Sequence, residues 1–273
     1  MPRFCRNYLG NRPGLGRNCY ALGTVCVGMT AHPIAFTARI VRVARTEIAA
    51  VAVLLVGTLG LAVFAALADG VAEQDNQGFD WAVLHWLRPY PDEPGRVIGP
   101  WWLRVAALDI TSLGGISVLS VFALMAVGFL LIHGKRLSAL LTVVGLAGGV
   151  ALSEGLKAVF ERPRPPSAYQ AVETLNASFP SGHALLATVF YLTVGVMLTR
   201  AFSKTRMKAY TLVWTVVLVL LIGLTRIYLG AHWASDVLAG WGIGAFWAMV
   251  LWLFAYAAER RQRVMMARLQ DAP

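Results

Sequence analysis

The chain has 273 residues, of which 58% are hydrophobic and only 14% are charged. This composition leaves too little polar surface to cover a soluble globule of this size, so a soluble enzyme is excluded. One membrane span needs about 20 residues, so the length suits a single bundle of about six helices and excludes a large multidomain transporter.

Uncharged apolar stretches follow one another along the chain. They cover residues 48–68, 110–132, 137–153, 184–199, 209–225 and 237–258. We therefore predict an all-α fold, an integral membrane bundle of six helices. Residues 1–46 are expected to form a basic, poorly ordered tail, residues 47–258 the six-span domain, and residues 259–273 a second basic tail. A start at Met29 would leave every span intact, so we expect residues 1–28 to be dispensable.

The formal net charge of +10 is distributed unevenly. Seventeen of the 24 Lys and Arg residues lie in the two tails, the 133–136 turn and the 200–208 loop, where, with Glu47 at the edge of the first tail included, there are only three of the 14 Asp and Glu residues. This is the positive-inside pattern, so we predict cytoplasmic termini in a bacterial-type inner membrane. The basicity is explained by topology, and no nucleic-acid partner is expected.

The cysteines, three of the histidines and the acids near residue 75 show no sequence pattern of a metal or cofactor site. Cys5, Cys19 and Cys26 have neither zinc-ligand nor disulfide-framework spacing. His32, His85 and His133 have no partners at useful spacing and are expected at the surface. A cluster of acids lacks the pattern of a calcium loop and is expected to be solvated; its members are Asp69, Glu73, Asp75 and Asp80. The aromatic-rich segment 79–90, which includes Asp80, is predicted to be either a short interfacial helix on the outer face or an ordinary aromatic belt.

The loops on the outer side carry three polar motifs. The loop after span three contains Lys157, then six residues, then Arg164 and Pro165. The same loop ends with the tetrapeptide Pro-Ser-Gly-His over residues 180–183. The loop after span five contains Arg226, His232 and Asp236, separated by five and three residues. All these groups are predicted to meet at one membrane surface.

Lys-x6-Arg-Pro, Pro-Ser-Gly-His and Arg-x5-His-x3-Asp, in this order, resemble the three signatures of the type 2 phosphatidic acid phosphatase family. The resemblance covers about residues 48–258, with Thr225 standing where the family often has Ser. It implies an all-α core with an active site at the outer membrane face. It also implies catalysis through a phosphohistidine on His232.

The residue types fit phosphoryl transfer, in which negative charge spreads over three oxygens. Three cations are available to bind these oxygens: Lys157, Arg164 and Arg226. Ser181 and Gly182 are placed to start a helix, whose free N–H groups also bind anions.

Histidine is the leading nucleophile, because these loops contain no cysteine and no Gly-x-Ser-x-Gly elbow. We assign the attack to His232, with Asp236 one helical turn later orienting its ring. His183 is then expected to protonate the leaving oxygen and afterwards to activate water.

Structural readings of the same residues stay open at this point. Lys157 could pair with Glu154 at helical spacing, and Arg226 and Asp236 could simply end their spans. Arg162 could contact substrate or solvate the loop.

The function predicted is a metal-independent lipid phosphatase without a cofactor, whose partners are the bilayer and a phosphorylated lipid. Undecaprenyl pyrophosphate is ranked first, and phosphatidylglycerophosphate or phosphatidic acid second. A lipid phosphotransferase using the same site, or a transporter or scaffold with a decayed site, are the alternatives.

Overall fold

The computed structural model describes residues 33–270 except 91, 94 and 173–175; side chains are described from residue 50 onward, without 267 and 270. Its contacts divide the chain into a unit over residues 1–46 and a unit over residues 47–273. The eight α-helices of the described residues are α1 Pro33–Ala72, α2 Gln77–Leu87, α3 Trp101–Ser112, α4 Ile116–Ile132, α5 Arg136–Phe160, α6 Gly182–Thr199, α7 Thr205–Tyr228 and α8 Ala234–Gln270.

The predicted all-helical membrane fold is confirmed. Five helices of the described chain are long and apolar enough to span a bilayer, the parts concerned being Ala50–Ala72 of α1, α5, α6, α7 and Ala234–Met266 of α8. Large apolar side chains are exposed along the outside of the bundle, including Leu124, Ile132 and Leu224. Such a surface suits lipid tails better than water.

The second predicted span differs from a single straight helix. Residues 110–132 begin inside α3, and α3 and α4 are bent by 48° at the break between them. The break contains Gly114 and Gly115 after Ser112, and small residues of this kind are a common cause of helix kinks. Counting α3 and α4 as one broken span gives the sixth span.

At the N-terminus, α1 begins at Pro33, so helix already covers residues 33–46 of the segment that we expected to be poorly ordered. Met29 and the three cysteines lie outside the described residues. The tail boundary therefore stays a prediction.

Helix α6 lies at the centre of the bundle, against α5, α7 and α8. Apolar side chains from α4, α6 and α8 form the buried core around it, namely Leu119, Ala123, Leu185, Leu186, Val189, Phe190, Ile243 and Leu251. Successive helices α5 to α8 run in alternating directions, so the end of α5, the start of α6, the end of α7 and the start of α8 meet at one end. We call this the site end.

Glycines bring α8 close to α6 at the site end. A Cβ atom at Gly240 would lie 2.7 Å from the Ser181 carbonyl oxygen and 3.0 Å from the Ala184 Cβ. One turn further, a Cβ at Gly244 would lie 2.9 Å from the Leu185 oxygen. Since the obstructing atoms include main chain, α8 cannot accept a side chain at these positions without moving away.

We expect Gly240→Ala to lower the thermal unfolding temperature in detergent, because overpacking of this kind costs about 1–3 kcal/mol. Gly128→Ala is the matched control, since a Cβ at Gly128 meets nothing within 4 Å. Equal unfolding temperatures for the two variants would contradict the close α6–α8 contact.

Candidate active site

Lys157 lies in the last turn of α5 and points into the site end. Its Nζ donates to the Glu154 Oε1 at 2.7 Å, the pairing that the structural reading anticipated. The side chain is nevertheless only 13% exposed, and a Cβ atom on Gly182 would lie 3.6 Å from its Nζ. Lys157 therefore forms an ion pair and also faces the start of α6.

Arg164 follows α5 in an extended segment and is held mainly by carbonyl oxygens. Its Nε donates to the Asn176 oxygen at 2.5 Å, and its Nη1 donates to the Ala231 oxygen at 2.8 Å. The same Nη1 lies 3.3 Å from the His232 Nε2. No carboxylate neutralises Arg164 through a direct ion pair within the described part of the chain, so its charge remains available to an anion.

The start of α6 is tied to the start of α8 through the main chain. Ser181 precedes the first helical residue, Gly182, and its N–H donates to the Asp236 carbonyl oxygen at 3.0 Å. The Ser181 carbonyl accepts the N–H of Leu185 and so closes the first turn. The earlier N–H groups of that turn have no acceptor within the helix, which makes it a suitable place for an anion.

His232 is buried in the short segment between α7 and α8. Its Nδ1 lies 2.9 Å from the Ser178 carbonyl oxygen and 3.4 Å from the Asp236 Oδ2. A carbonyl can only accept, so we assign the proton to Nδ1. The Nε2 then carries the lone pair, which accepts a hydrogen bond from the Arg164 Nη1. Nε2 is thus the ring nitrogen that carries the lone pair, and it faces the guanidinium of Arg164.

The Asp236 carboxylate is fully buried and accepts hydrogen bonds at both oxygens. Its Oδ2 accepts from the Ser178 hydroxyl and, at 3.0 Å, from the Trp233 N–H. Its Oδ1 accepts from the Arg162 Nη1 at 2.6 Å. This set of donors fixes the carboxylate beside the His232 ring.

Arg226 and His183 complete the cluster near the bend between α3 and α4. The Arg226 Nη1 donates to the Thr111 Oγ1 at 3.2 Å. The His183 Nε2 lies near Gly115, at 3.8 Å from where a Cβ of that residue would be. His183 is also within electrostatic range of Arg226, His232, Lys157 and Arg164.

Three buried polar atoms of this cluster have no hydrogen-bond partner among the described residues: Ser153 Oγ, Ser181 Oγ and Arg226 Nε. Leaving a buried donor unpaired costs about 1–3 kcal/mol. Ser153 lies one turn before Lys157, and its Oγ is 3.1 Å from where a Cβ of Gly182 would be. Unpaired donors beside Lys157 and the start of α6 are suited to the oxygens of a bound anion.

The structure brings together all eight site residues predicted from sequence: Lys157, Arg164, Ser181, Gly182, His183, Arg226, His232 and Asp236. Their contacts connect the three motifs into one cluster at the site end. Ser153 was not predicted, although its position one helical turn before Lys157 was an available signal.

The expectations for Asp80 and Arg162 need correction. Asp80, expected in a solvated loop, is 1% exposed and forms an ion pair with Arg162 at 2.6 Å. Arg162 in turn neither solvates the loop nor is free for substrate, since its side chain is only 10% exposed and bonded to carboxylates. The other acids of that cluster, Asp69, Glu73 and Asp75, are exposed as expected.

Outside the site, His85 and His133 are exposed, and His32 lies outside the described residues. Within residues whose side chains are described, no group of three or more His, Cys, Asp or Glu is arranged to hold a metal ion. The segment predicted as an interfacial helix is α2, with Phe79 and Trp86 exposed on its outer side.

Comparison with known proteins identifies the family. The family model of the PAP2 superfamily matches residues 136–260. Phosphatidylglycerophosphatase B of Bacillus subtilis is 31% identical over 146 residues, which cover 52% of this chain and 70% of that protein. The chain belongs to the PAP2 superfamily. The resemblance inferred from the three motifs is thereby confirmed.

A second relative and one solved structure are also similar to this chain. An undecaprenyl-diphosphatase of Sulfolobus acidocaldarius is 28% identical over 109 residues. The match covers 38% of this chain and 48% of that protein. The crystal structure of a transmembrane PAP2 type phosphatidylglycerolphosphate phosphatase from Bacillus subtilis matches with a TM-score of 0.66 and 25% identity. That match covers 74% of this chain and 96% of the crystallised one, and it agrees with the all-α membrane fold.

The environment of His232 sets its protonation state in this PAP2 family member. The pKa of His232 is lowered from 6.5 to about 4, and burial is the largest cause of this net shift. Asp236 opposes the shift, whereas the nearby cations Arg226 and Arg164 contribute to it. The ring is therefore neutral at pH 7, the form in which Nε2 has a lone pair.

We expect the side-chain NMR signals of His232, in histidine-labelled protein, to stay unchanged between pH 8 and pH 5.5. A histidine with an ordinary pKa of about 6.5 would protonate within that interval. The signal is assigned by its loss in His232→Ala. Movement of the His232 signal between pH 7 and pH 6 would contradict the depressed pKa.

Proposed function

We propose that this PAP2 membrane protein is a lipid phosphatase that hydrolyses a phosphomonoester or pyrophosphate through a phosphohistidine on His232. The observation that supports this most directly is the orientation of the His232 ring. Its Nδ1 is engaged by Ser178 and Asp236, while its Nε2 faces the guanidinium of Arg164. A phosphate bound by Arg164 would lie next to the nucleophilic nitrogen.

Substrate binding would use the cations and unpaired donors of the site. Arg164 and Arg226 offer planar forks for phosphate oxygens, and Lys157 adds a compact charge. The Ser181 hydroxyl and the N–H groups that begin at Gly182 supply further donors. These groups are in place before the reaction, so charge developing on the transferred phosphoryl group meets donors that need not reorganise.

In the first chemical step, the His232 Nε2 forms a bond to phosphorus, and the bond from phosphorus to the leaving oxygen breaks. His183, protonated in the substrate complex, gives its proton to that oxygen and becomes neutral. The positive charge on His232 is stabilised by the Asp236 carboxylate at 3.4 Å from Nδ1. In the second step, His183 takes a proton from water, the water oxygen forms a bond to phosphorus as the bond from phosphorus to the His232 Nε2 breaks, and neutral His232 and inorganic phosphate are released.

No metal ion is required in this scheme, because side-chain cations neutralise the phosphate. The scheme also accounts for the position of the site. The reacting groups lie at the ends of spans, while lipid tails stay beside the apolar outside of the bundle. We propose that the termini are cytoplasmic and that the site end faces the outside of a bacterial-type inner membrane.

Two substrates are supported by different observations. The relative matched over the larger share of its length is a phosphatidylglycerophosphatase, which favours a glycerophospholipid monophosphate. The second relative is an undecaprenyl-diphosphatase, which fits the isoprenoid pyrophosphate ranked first from sequence. The motif residues bind phosphate in either case, so the lipid tail has to be identified by direct competition.

We expect purified protein to release phosphate from undecaprenyl pyrophosphate or phosphatidylglycerophosphate, with phosphatidic acid as a third substrate, equally well with and without EDTA. Loss of turnover in EDTA, restored by a divalent cation, would contradict the metal-independent scheme. Transfer of the phosphoryl group to an added alcohol instead of water would identify a phosphotransferase.

His232→Ala should abolish turnover, because it removes the atom that bonds to phosphorus. Asp236→Asn should lower kcat by about 10³-fold or more, since an equivalent Asp to Asn change in a serine protease triad costs about 10⁴-fold. Acid-labile phosphate on protein mixed rapidly with labelled substrate should be absent from His232→Ala. Turnover retained by His232→Ala would overturn the nucleophile assignment.

A further inference from the structure

Arg162 makes three hydrogen bonds that occupy both ends of its guanidinium. Its Nη1 donates to the Ser235 Oγ at 2.7 Å and to the Asp236 Oδ1 at 2.6 Å, and its Nη2 donates to the Asp80 Oδ2 at 2.6 Å. The guanidinium also lies 5.7 Å from the centre of the Trp233 ring. Arg162 would have to break ion pairs to both carboxylates before it could turn toward a phosphate.

Asp80 joins the same network from α2, far away in the chain. Its Oδ1 accepts the Ser235 N–H at 2.9 Å, and its Oδ2 accepts the Ser235 hydroxyl at 2.6 Å in addition to Arg162. Asp80 lies on the buried stripe of α2 with Leu84 and Leu87. A carboxylate on the apolar side of a helix is costly unless it is paired, so its position points to a specific role.

A second contact ties the far end of α2 to the same catalytic segment. The Arg88 Nη2 donates to the Tyr228 carbonyl oxygen at 2.8 Å, at the end of α7. Gly230 has a φ of 68°, and a Cβ there would lie 2.7 Å from the Arg88 Nη2. Asp80 and Arg88 thus hold the two ends of the segment that contains His232.

A continuous chain of contacts connects Asp80 to the His232 ring. Asp80 and Ser235 fix the plane of the Arg162 guanidinium, and Arg162 fixes the Asp236 Oδ1. With Oδ1 held, Oδ2 is directed toward the His232 Nδ1, the Ser178 hydroxyl and the Trp233 N–H. The orientation of the ring therefore depends on groups that do not contact its Nε2.

We propose that Arg162 and Asp80 are positioning residues, which hold Asp236 in the orientation that presents the His232 Nε2 to phosphorus. The inference rests on the proposed function and extends it to a helix outside the three motifs. It assigns to α2 a part in catalysis besides the interfacial position predicted for it from the sequence. Neither residue is expected to contact the phosphate.

The test measures kcat and KM for the best lipid substrate of the panel, in Asp80→Asn, Arg162→Lys and Arg162→Gln. Loss of a group that orients a metal-binding histidine or carboxylate typically costs about 10- to 100-fold, and we expect a comparable fall in kcat here, with KM within twofold. Arg162→Lys should restore only part of the loss seen in Arg162→Gln, because an ammonium cannot bridge both carboxylates in one plane.

Asp75→Asn is the matched control, since it removes an exposed carboxylate from the turn before α2. Its kcat should stay within twofold of the wild-type value. The inhibition constant of inorganic phosphate should also stay within twofold in Asp80→Asn and Arg162→Gln. An intact phosphate site with reduced kcat separates a positioning role from general damage to the fold.

The double variant Asp80→Asn with Arg162→Gln decides whether the two residues act together. If Asp80 acts through Arg162, adding Asp80→Asn to Arg162→Gln should lower kcat by less than about twofold. If the fold-losses in kcat of the two single variants multiply in the double variant, the shared role is overturned. If Asp80→Asn fails to fold, the test uses Arg162→Lys and Arg162→Gln alone. A lower kcat with an unchanged inhibition constant of inorganic phosphate then supports the positioning role, and an unchanged kcat overturns it.

Wild-type protein and His232→Ala are measured in parallel, so that two failures can be told apart. No phosphate release by the wild type would overturn the proposed function and this inference with it. Turnover by the wild type, abolished in His232→Ala but kept within twofold in Asp80→Asn and Arg162→Gln, would overturn the positioning role alone.

Discussion

The buried carboxylate of Asp236 is the group on which the arrangement of the site end depends. Moving an ion of this kind out of water costs several kcal/mol unless donors replace the lost hydration. Here the donors come from separate parts of the chain: Arg162 and Ser178 from the connection between α5 and α6, and the N–H of Trp233 from the turn before α8. Burial of one charge therefore ties together the connections that carry the three motifs.

Close packing of the helices makes these bonds geometrically possible. Gly240 and Gly244 let α8 approach the main chain of α6, which places the Ser181 N–H 3.0 Å from the Asp236 carbonyl oxygen. Lipid tails are as apolar as the side chains that face them, so association of membrane helices relies on such close contacts and on polar bonds. The same glycines thus contribute to the packing and to the alignment of the motifs.

The site is built so that its cations are only partly neutralised by the protein. Lys157 shares its charge with Glu154, Arg164 is bonded mainly to carbonyl oxygens, and the Arg226 Nε has no partner among the described residues. Asp80 and Asp236 are instead neutralised by Arg162. Positive charge therefore remains on the side that faces the ring of His232, where the phosphate of the proposed substrate would complete the hydrogen bonding of the site.

Hydropathy and motif spacing were sufficient to predict the helical membrane fold, the PAP2 family and the residues that cluster at the site end. These features depend on local composition, and the alternation of spans places the motifs at one surface. The sequence alone did not predict the break between α3 and α4, although Gly114 and Gly115 were a signal. It also did not predict the pairing of Asp80 with Arg162, 82 positions later, because the distance in the chain carries no information about which buried charges will meet. Only the tertiary structure decided that pairing, since it alone brings α2 over the start of α8.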